Sequence, residues 1–384
     1  MNALSSYTCR WLTEDVEAFR RTVREFVHRE FMPVQAQWRA NHGPDCGAWK
    51  AAGCVGVLLP DLDAEFGGGG GTYAHQAVVL EELTRAGVHF GCVAHGIVGH
   101  YIYAYGSEAQ KRRWLPCMAR GELVAAIAMT EPGAGSDLQA IRTAARRDGD
   151  HYVISGSKTF ITNARNAGLV CLAARTNPNV LGVRGISMIM VETAGLSGYR
   201  VGTPLKKVGM HGQDTCEIFF DDARVATSNL LGAVEDKGFS QMMGQLPYER
   251  LSIAIMAVAS AERAVELTVR HVKERSALGK TLFDLQNTRF KLAECRTRAH
   301  IGRVFLDSCV ERYIAGRLDE ASAAMAKYWL TDTQCRVIDE CVQLHGGYGY
   351  MLEYPIAQMW SDSRVQRIYG GANELMKELI AWTL

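Results

Sequence analysis

The chain has 384 residues, enough for two or three domains around a large core. Its formal charge of +1 and its 48% hydrophobic content fit a globular protein and offer no basic patch for nucleic acid. No apolar run reaches membrane-spanning length. The start, Met1-Asn-Ala-Leu-Ser-Ser-Tyr-Thr-Cys9, has neither a basic head nor an apolar signal core, so a cytoplasmic location is expected.

The first third reads as helical. Thr13 is the expected N-cap, with Glu14 and Asp15 in the first turn, where the helix dipole favours anions. Val16, Phe19, Val23, Phe26 and Val27 then recur at three- and four-residue steps. The glycine run Gly67 to Gly71 lacks the Lys-Ser/Thr that a phosphate loop requires, so a flexible turn between helices is expected. His95 and His100 fall on different faces of a helix and read as structural, as does His345. The eleven cysteines are odd in number and show no CxxC spacing, so they read as reduced thiols and no metal site is expected.

The middle third changes period. Tyr152-Val-Ile-Ser155, Val170-Cys-Leu-Ala-Ala174, Gly185-Ile-Ser-Met-Ile-Met-Val-Glu192 and Cys216-Glu-Ile-Phe-Phe220 are short, β-rich and bounded by turn residues. Asp148-Gly149-Asp150 reads as a hairpin turn between two of these runs. After Gly238 the helical period returns. Leu251, Ile255, Val258 and Val265 stripe one long helix, with Pro247 read as marking its first turn and Glu249 near its head. Leu330, Val337, Cys341 and Leu344 stripe another, which stops at Gly346-Gly347. The expected fold is therefore α+β and multidomain: a helical N-terminal domain (1–123), an antiparallel β domain (124–233) and a helical C-terminal domain (234–384).

Two stretches carry the chemistry. Ile127-Ala-Met-Thr-Glu-Pro-Gly-Ala-Gly-Ser-Asp137 ends in a turn at Pro132, Gly133 and Gly135. Its backbone N–H groups are free to meet a ligand, and Thr130 and Ser136 flank it with hydroxyls. In Gly156-Ser-Lys-Thr-Phe-Ile-Thr-Asn163, Phe160 and Thr162 share a strand face. An aromatic, hydroxyls and exposed amides on one wall suit a planar, heteroatom-rich ring such as a flavin.

At these residues the sequence resembles the acyl-CoA dehydrogenase family. The resemblance extends through Glu274-Arg-Ser-Ala-Leu-Gly-Lys280 with Gln286, Gln343-Leu-His-Gly-Gly-Tyr-Gly-Tyr350 and Arg367-Ile-Tyr-Gly-Gly-Ala-Asn-Glu374, from about residue 12 to 380. It implies a barrel-like middle domain, a C-terminal four-helix bundle and bound FAD. Met129, Thr130, Gly135 and Ser136 would border the isoalloxazine and ribityl chain, with Ser136 also near the substrate. Phe160 would stack near the ring and Thr162 would bond its edge. Arg275 and Gln286 would reach the FAD of a neighbouring subunit, where an Arg fork matches pyrophosphate oxygens. Gln343, Gly346 and Gly347 would let backbone approach the dinucleotide. Ala372 stands where a Thr is common, and Glu374 matches a position near the adenosine.

The implied reaction is α,β-dehydrogenation of an acyl-CoA or carrier-protein thioester to the trans-2-enoyl thioester, with a carboxylate taking the α-proton and flavin N5 taking the β-hydride. The family places that carboxylate at one of two points. The first is Gly370 here and has no side chain; the second is Glu249 in Leu246-Pro-Tyr-Glu-Arg250. Glu249 is the expected base, as in the isovaleryl- and long-chain-type subgroup, with Glu374 the second candidate. The Gly370 N–H would polarise the thioester carbonyl, Arg250 would sit near the CoA portion or the substrate entrance, and Tyr369 would pack over the flavin–substrate layer. Ala277 and Leu278 depart from the common Thr/Ser and Phe, which puts subunit contacts there in doubt. The implied partners are an electron-transfer flavoprotein and further copies of the chain in a homotetramer. The competing readings are a flavin oxidase or monooxygenase on the same fold, and a non-catalytic binding homologue.

Overall fold

The structure, a computed structural model, describes residues 7, 9–180, 182–277 and 279–384. Most of the N-terminal stretch read for a signal, and the departure at Leu278, lie outside them.

Among the described residues six α-helices come first: α1 (Glu14–Phe26), α2 (Gln35–Asn41), α3 (Cys46–Cys54), α4 (Tyr73–Ala86), α5 (Cys92–Tyr105) and α6 (Glu108–Ala119). The α1 stripe is buried at Val16, Val23 and Phe26, as its period requires. Thr13 is the N-cap residue, but its hydroxyl bonds the Asp15 carboxylate and accepts no backbone N–H. Thr72 and Ser107 instead cap α4 and α6 with full capping boxes.

The glycine run is not a flexible turn. The N–H groups of Gly67 through Gly71 are all donated to carbonyls of residues 59–64. A Cβ at Gly68 would lie 2.2 Å from Leu62 O, and one at Gly69 2.6 Å from Pro60 O. The run is a packed knot, with no free amide to hold a phosphate.

The strands follow as β1 (Val124–Ala128), β2 (Ala144–Asp148), β3 (His151–Thr162), β4 (Ala167–Arg175), β5 (Ile186–Glu192), β6 (Tyr199–Val201) and β7 (Thr215–Ala226). They form one sheet in the order β1-β4-β2-β3-β7-β6, with β5 also on β4. The tight turn at Gly149 (φ 63°) joins β2 to β3, as read from the sequence. The sheet is mixed rather than wholly antiparallel: β1 and β2 both run parallel to β4. A parallel partner comes from a distant segment, so no local turn signal announces it.

Among the described residues three long α-helices and two short ones close the chain: α7 (Gly238–Glu274), α8 (Gln286–Ile314), α9 (Glu320–His345), α10 (Pro355–Ser363) and α11 (Asn373–Ala381), with a small β8–β9 hairpin (Ser276–Ala277 and Lys280–Thr281) after α7. Helix α7 begins well before Pro247, so Glu249 lies inside it and not at its head. Pro247 removes one helical N–H there without ending the helix. One core cluster joins the three regions. It includes Tyr101 of α5, Cys171 of β4 and Leu251 and Ile253 of α7, with Met129 and Tyr369 packed on its edge. Glu249 sits at this junction.

Candidate active site

Glu249 is only 9% exposed although it is a carboxylate. Burial pushes its pKa from 4.5 up to about 7, against smaller lowering by the Tyr101 hydroxyl and the Arg250 charge. Tyr101 Oη donates to Glu249 Oε1 at 3.2 Å, and no other hydrogen bond reaches that carboxyl among the described residues. Arg250, the next residue, is buried too, with its guanidinium pKa lowered by burial and its Nε left without a partner. A buried cation with an unsatisfied donor fits a site that expects a ligand.

The loop carrying Tyr369 and Gly370 packs against the same helix. A Cβ at Gly370 (φ 63°) would meet Ile253 Cδ1, one turn beyond Glu249. Among the described residues nothing accepts from the Gly370 N–H. The Tyr369 hydroxyl is likewise buried and unpartnered. The loop is held from below by residues that sequence reasoning did not single out. Fully buried Lys327 donates to Gly371 O at 2.6 Å and to Asn373 Oδ1 at 2.9 Å. The Asn373 amide in turn donates to Thr331 Oγ1 and Asp332 Oδ1.

The two flavin-type motifs are joined by a buried ion pair that the sequence reading also missed. Lys158 is 0% exposed; its Nζ donates to Glu131 Oε1 at 2.8 Å and to Met129 O at 2.9 Å. The other bonds to the Glu131 carboxyl come from the backbone N–H groups of Arg142 and Thr143. Burial brings the Lys158 pKa down to about 8. On Glu131 burial acts upward, but Lys158 and the amide donors outweigh it and hold the carboxyl below its usual range. A Lys and a Glu inside otherwise turn-like or apolar motifs were the available signal.

This pair fixes the turn between Thr130 and Ser136. Glu131 and Ala134 exchange their backbone bonds, while the amides of Gly133, Gly135 and Ser136 have no acceptor among the described residues. A Cβ at Gly133 or Gly135 would meet no atom within 4 Å. Thr159 N–H donates to Thr130 O at 2.9 Å, setting the turn beside β3. There the ladder with β7 is broken between Lys158 and Ile161, and Phe160 takes φ 61° with 67% of its surface exposed. A bulky residue held in a left-handed conformation and facing outward marks a ligand wall more than a core position. Thr162, half-buried, follows at the strand end.

Arg275, Gln343, Gly346 and Gly347 line a second concavity of about 700 Å³. None of its lining residues comes from the sheet. A Cβ at Gly346 or Gly347 would meet open space. The Arg275 guanidinium lies 5.6 Å over the Tyr348 ring, and His345 stacks on His271 at 4.2 Å. Gln286 starts α8 nearby but does not line the concavity. Ala372 is the N-cap residue of α11, and Glu374 is exposed, unlike Glu249. A further cavity of about 450 Å³, between α1, α4, α7 and α10, contains none of the expected site residues. The open amides, the Phe160 wall and the Arg275 concavity fit an elongated dinucleotide with a planar ring such as FAD.

The histidines are accounted for by the fold. His95 accepts the Ala125 N–H at Nδ1 and donates to Met118 O at Nε2. His100 faces the Asp61 carboxylate at 3.0 Å. Among the described residues no cluster of three or more potential metal ligands occurs.

Comparison with known proteins identifies the fold along the whole chain. Residues 13–122, 126–223 and 236–384 match the N-terminal, middle and C-terminal domain profiles of acyl-CoA dehydrogenase. The chain is 44% identical to a long-chain specific acyl-CoA dehydrogenase, mitochondrial, of Sus scrofa, over 97% of this chain and 87% of that protein. The crystal structure of an acyl-CoA dehydrogenase from Geobacillus kaustophilus superposes with a TM-score of 0.96 at 44% identity, covering 98% of this chain and 99% of that one. Butyryl-CoA dehydrogenase from Megasphaera elsdenii superposes at 0.92 with 30% identity, covering 97% and 98%. With all three regions matched in order, the chain belongs to the acyl-CoA dehydrogenase family.

Proposed function

We propose that Glu249 is the α-proton base of this FAD-dependent acyl-CoA dehydrogenase. The reaction class follows from the family; the residue roles are inferred from this chain. The observation that carries the assignment is a carboxyl sealed between α5, β4 and α7 whose pKa burial lifts to about 7. A base poised near the working pH combines a deprotonated population with useful proton affinity. Gly370, the alternative position, has no side chain, while its uncommitted N–H can bond the thioester oxygen as charge builds there.

FAD supplies the acceptor for the β-hydride when bound. The amides of Gly133, Gly135 and Ser136, the Thr130 and Thr162 hydroxyls, Met129, Phe160 and Tyr369 would hold its flavin half. Arg275, Gln286, Gln343, Gly346 and Gly347 would hold the rest, reaching from a second copy of the chain. Ala372 and Glu374 would border the adenosine side. Arg250, with its unpaired Nε, would meet the CoA portion or the site entrance.

A homotetramer is part of this reading. It is supported by the separation of the Arg275 concavity from the sheet and by Phe290, Ile301 and Val304, which lie exposed along α8. The division at 1–123, 124–233 and 234–384 belongs to it as well. So do an electron-transfer flavoprotein as acceptor and a cytoplasmic location; among the described residues no helix is long and apolar enough to cross a membrane. The similarity to the long-chain specific relative supports a long acyl chain. Anaerobic titration of the yellow protein with short, long and branched acyl-CoAs tests the reading. Bleaching of the flavin band by long straight chains is expected; no bleaching by any acyl-CoA would reject it.

A further inference from the structure

Glu249 has two carboxyl oxygens in unlike surroundings. Oε1 accepts from Tyr101 Oη; Oε2 has no hydrogen-bond partner among the described residues. Tyr101 is itself fully buried, on the facing helix α5, and Glu249 is the partner its hydroxyl finds. We propose that Tyr101 is the positioning residue of the base: it fixes the carboxyl rotamer through Oε1 and leaves Oε2 as the oxygen that takes the α-proton. This rests on Glu249 being the base.

The surroundings leave Tyr101 little competition. On α7, Arg250 acts on Glu249 through its charge alone. From β4, the Cys171 thiol is pushed up by burial and stays neutral. Tyr105 of α5 adds to the field at Tyr101 without a bond to the carboxyl. Tyr369, in the loop, has an unpartnered hydroxyl. Lys327 of α9, whose pKa is lowered to about 7 by burial and then by the Arg250 charge, is spent on Gly371 and Asn373. Burial and the Glu249 charge hold the Tyr101 phenol far above its usual range, so it remains a donor throughout the working pH. A buried carboxylate with one donor depends strongly on that donor for orientation and for charge.

The test is the pH profile of anaerobic single-turnover flavin reduction by palmitoyl-CoA in the holoenzyme, for the wild type, Tyr101→Phe, Tyr73→Phe and Glu249→Gln. Tyr101→Phe keeps the ring and removes only the donor. Its acid limb should move up by about one pH unit, because the anion loses a stabilising bond while the neutral acid loses less. Flavin content and palmitoyl-CoA affinity should stay within about twofold of wild type, since packing is unchanged. Tyr73→Phe removes another buried hydroxyl of the same core, the one bonded to Ser252, and should leave the limb in place. An unshifted limb in Tyr101→Phe, or an equal shift in Tyr73→Phe, overturns the role of Tyr101 while leaving Glu249 as base if Glu249→Gln is inert. An active Glu249→Gln protein overturns both.

Discussion

A methyl group added at Gly370 would lie 2.3 Å from Ile253 Cδ1, one helical turn past Glu249. The loop and α7 therefore approach too closely for a side chain at 370 in its present conformation, which also has a left-handed φ of 63°. Backbone from the loop and a carboxyl from the helix can then serve one substrate atom pair without competing for space.

Gly370→Ala should show this closeness. The Ile253 tip can rotate away, but the left-handed φ still costs about 1–2 kcal/mol. A shift of the Gly370 N–H should slow flavin reduction roughly ten- to hundredfold. Thermal melts and single-turnover reduction measure the two effects separately; an unchanged rate would remove Gly370 from the site.

Glu131→Gln should destabilise the protein through the buried partner it leaves behind. It leaves the Lys158 ammonium, 0% exposed, without a counter-charge. Breaking such a pair costs about 3–5 kcal/mol. The purified protein should melt earlier and lose flavin on gel filtration. Adding Lys158→Met should recover part of the stability, because no charge remains buried.

The glycine knot makes a prediction opposite to that for a flexible turn. In Gly68→Ala the new methyl faces Leu62 O at 2.2 Å, a backbone atom that cannot rotate away. A loss of about 3 kcal/mol is expected, at the upper end for overpacking. A melting point equal to wild type would mean the loop yields freely.

Much of the fold was legible because the core imposes its periods: three- and four-residue steps on α1, α7 and α9, and β-rich runs between turns in the sheet. Glu249 was singled out because the motif left Gly370 without a side chain. Pro247 misled, since proline is commonest in the first turn of a helix, whereas here tertiary packing carries α7 through it. Five consecutive glycines read as flexible because sequence cannot show the carbonyls of residues 59–64 that bind their amides. Tyr101 and Glu249 are 148 positions apart, and no local pattern links a tyrosine to a carboxylate at that range. Lys327 and Asn373, which hold the Gly370 loop, were hidden for the same reason.

Glu249 should also lower stability where it is charged. Its folded pKa, about 7, lies above the ordinary 4.5, so the folded protein resists losing this proton. The penalty is absent below about 4.5, grows as pH rises, and is complete above about 7 at roughly 3 kcal/mol. Glu249→Gln removes it. Its melting point should match wild type in acid and exceed it by several degrees at pH about 8. A difference that does not change with pH would mean the carboxyl is not held in a low-dielectric site.

The most direct measurement is the anaerobic rate of flavin reduction when Glu249→Gln holoenzyme is mixed with saturating palmitoyl-CoA. Flavin content and ligand affinity should remain close to wild type, while the rate falls roughly 10²–10⁴-fold, the contribution expected of a positioned base. Reduction at the wild-type rate by a protein lacking that carboxylate would contradict the assignment of Glu249.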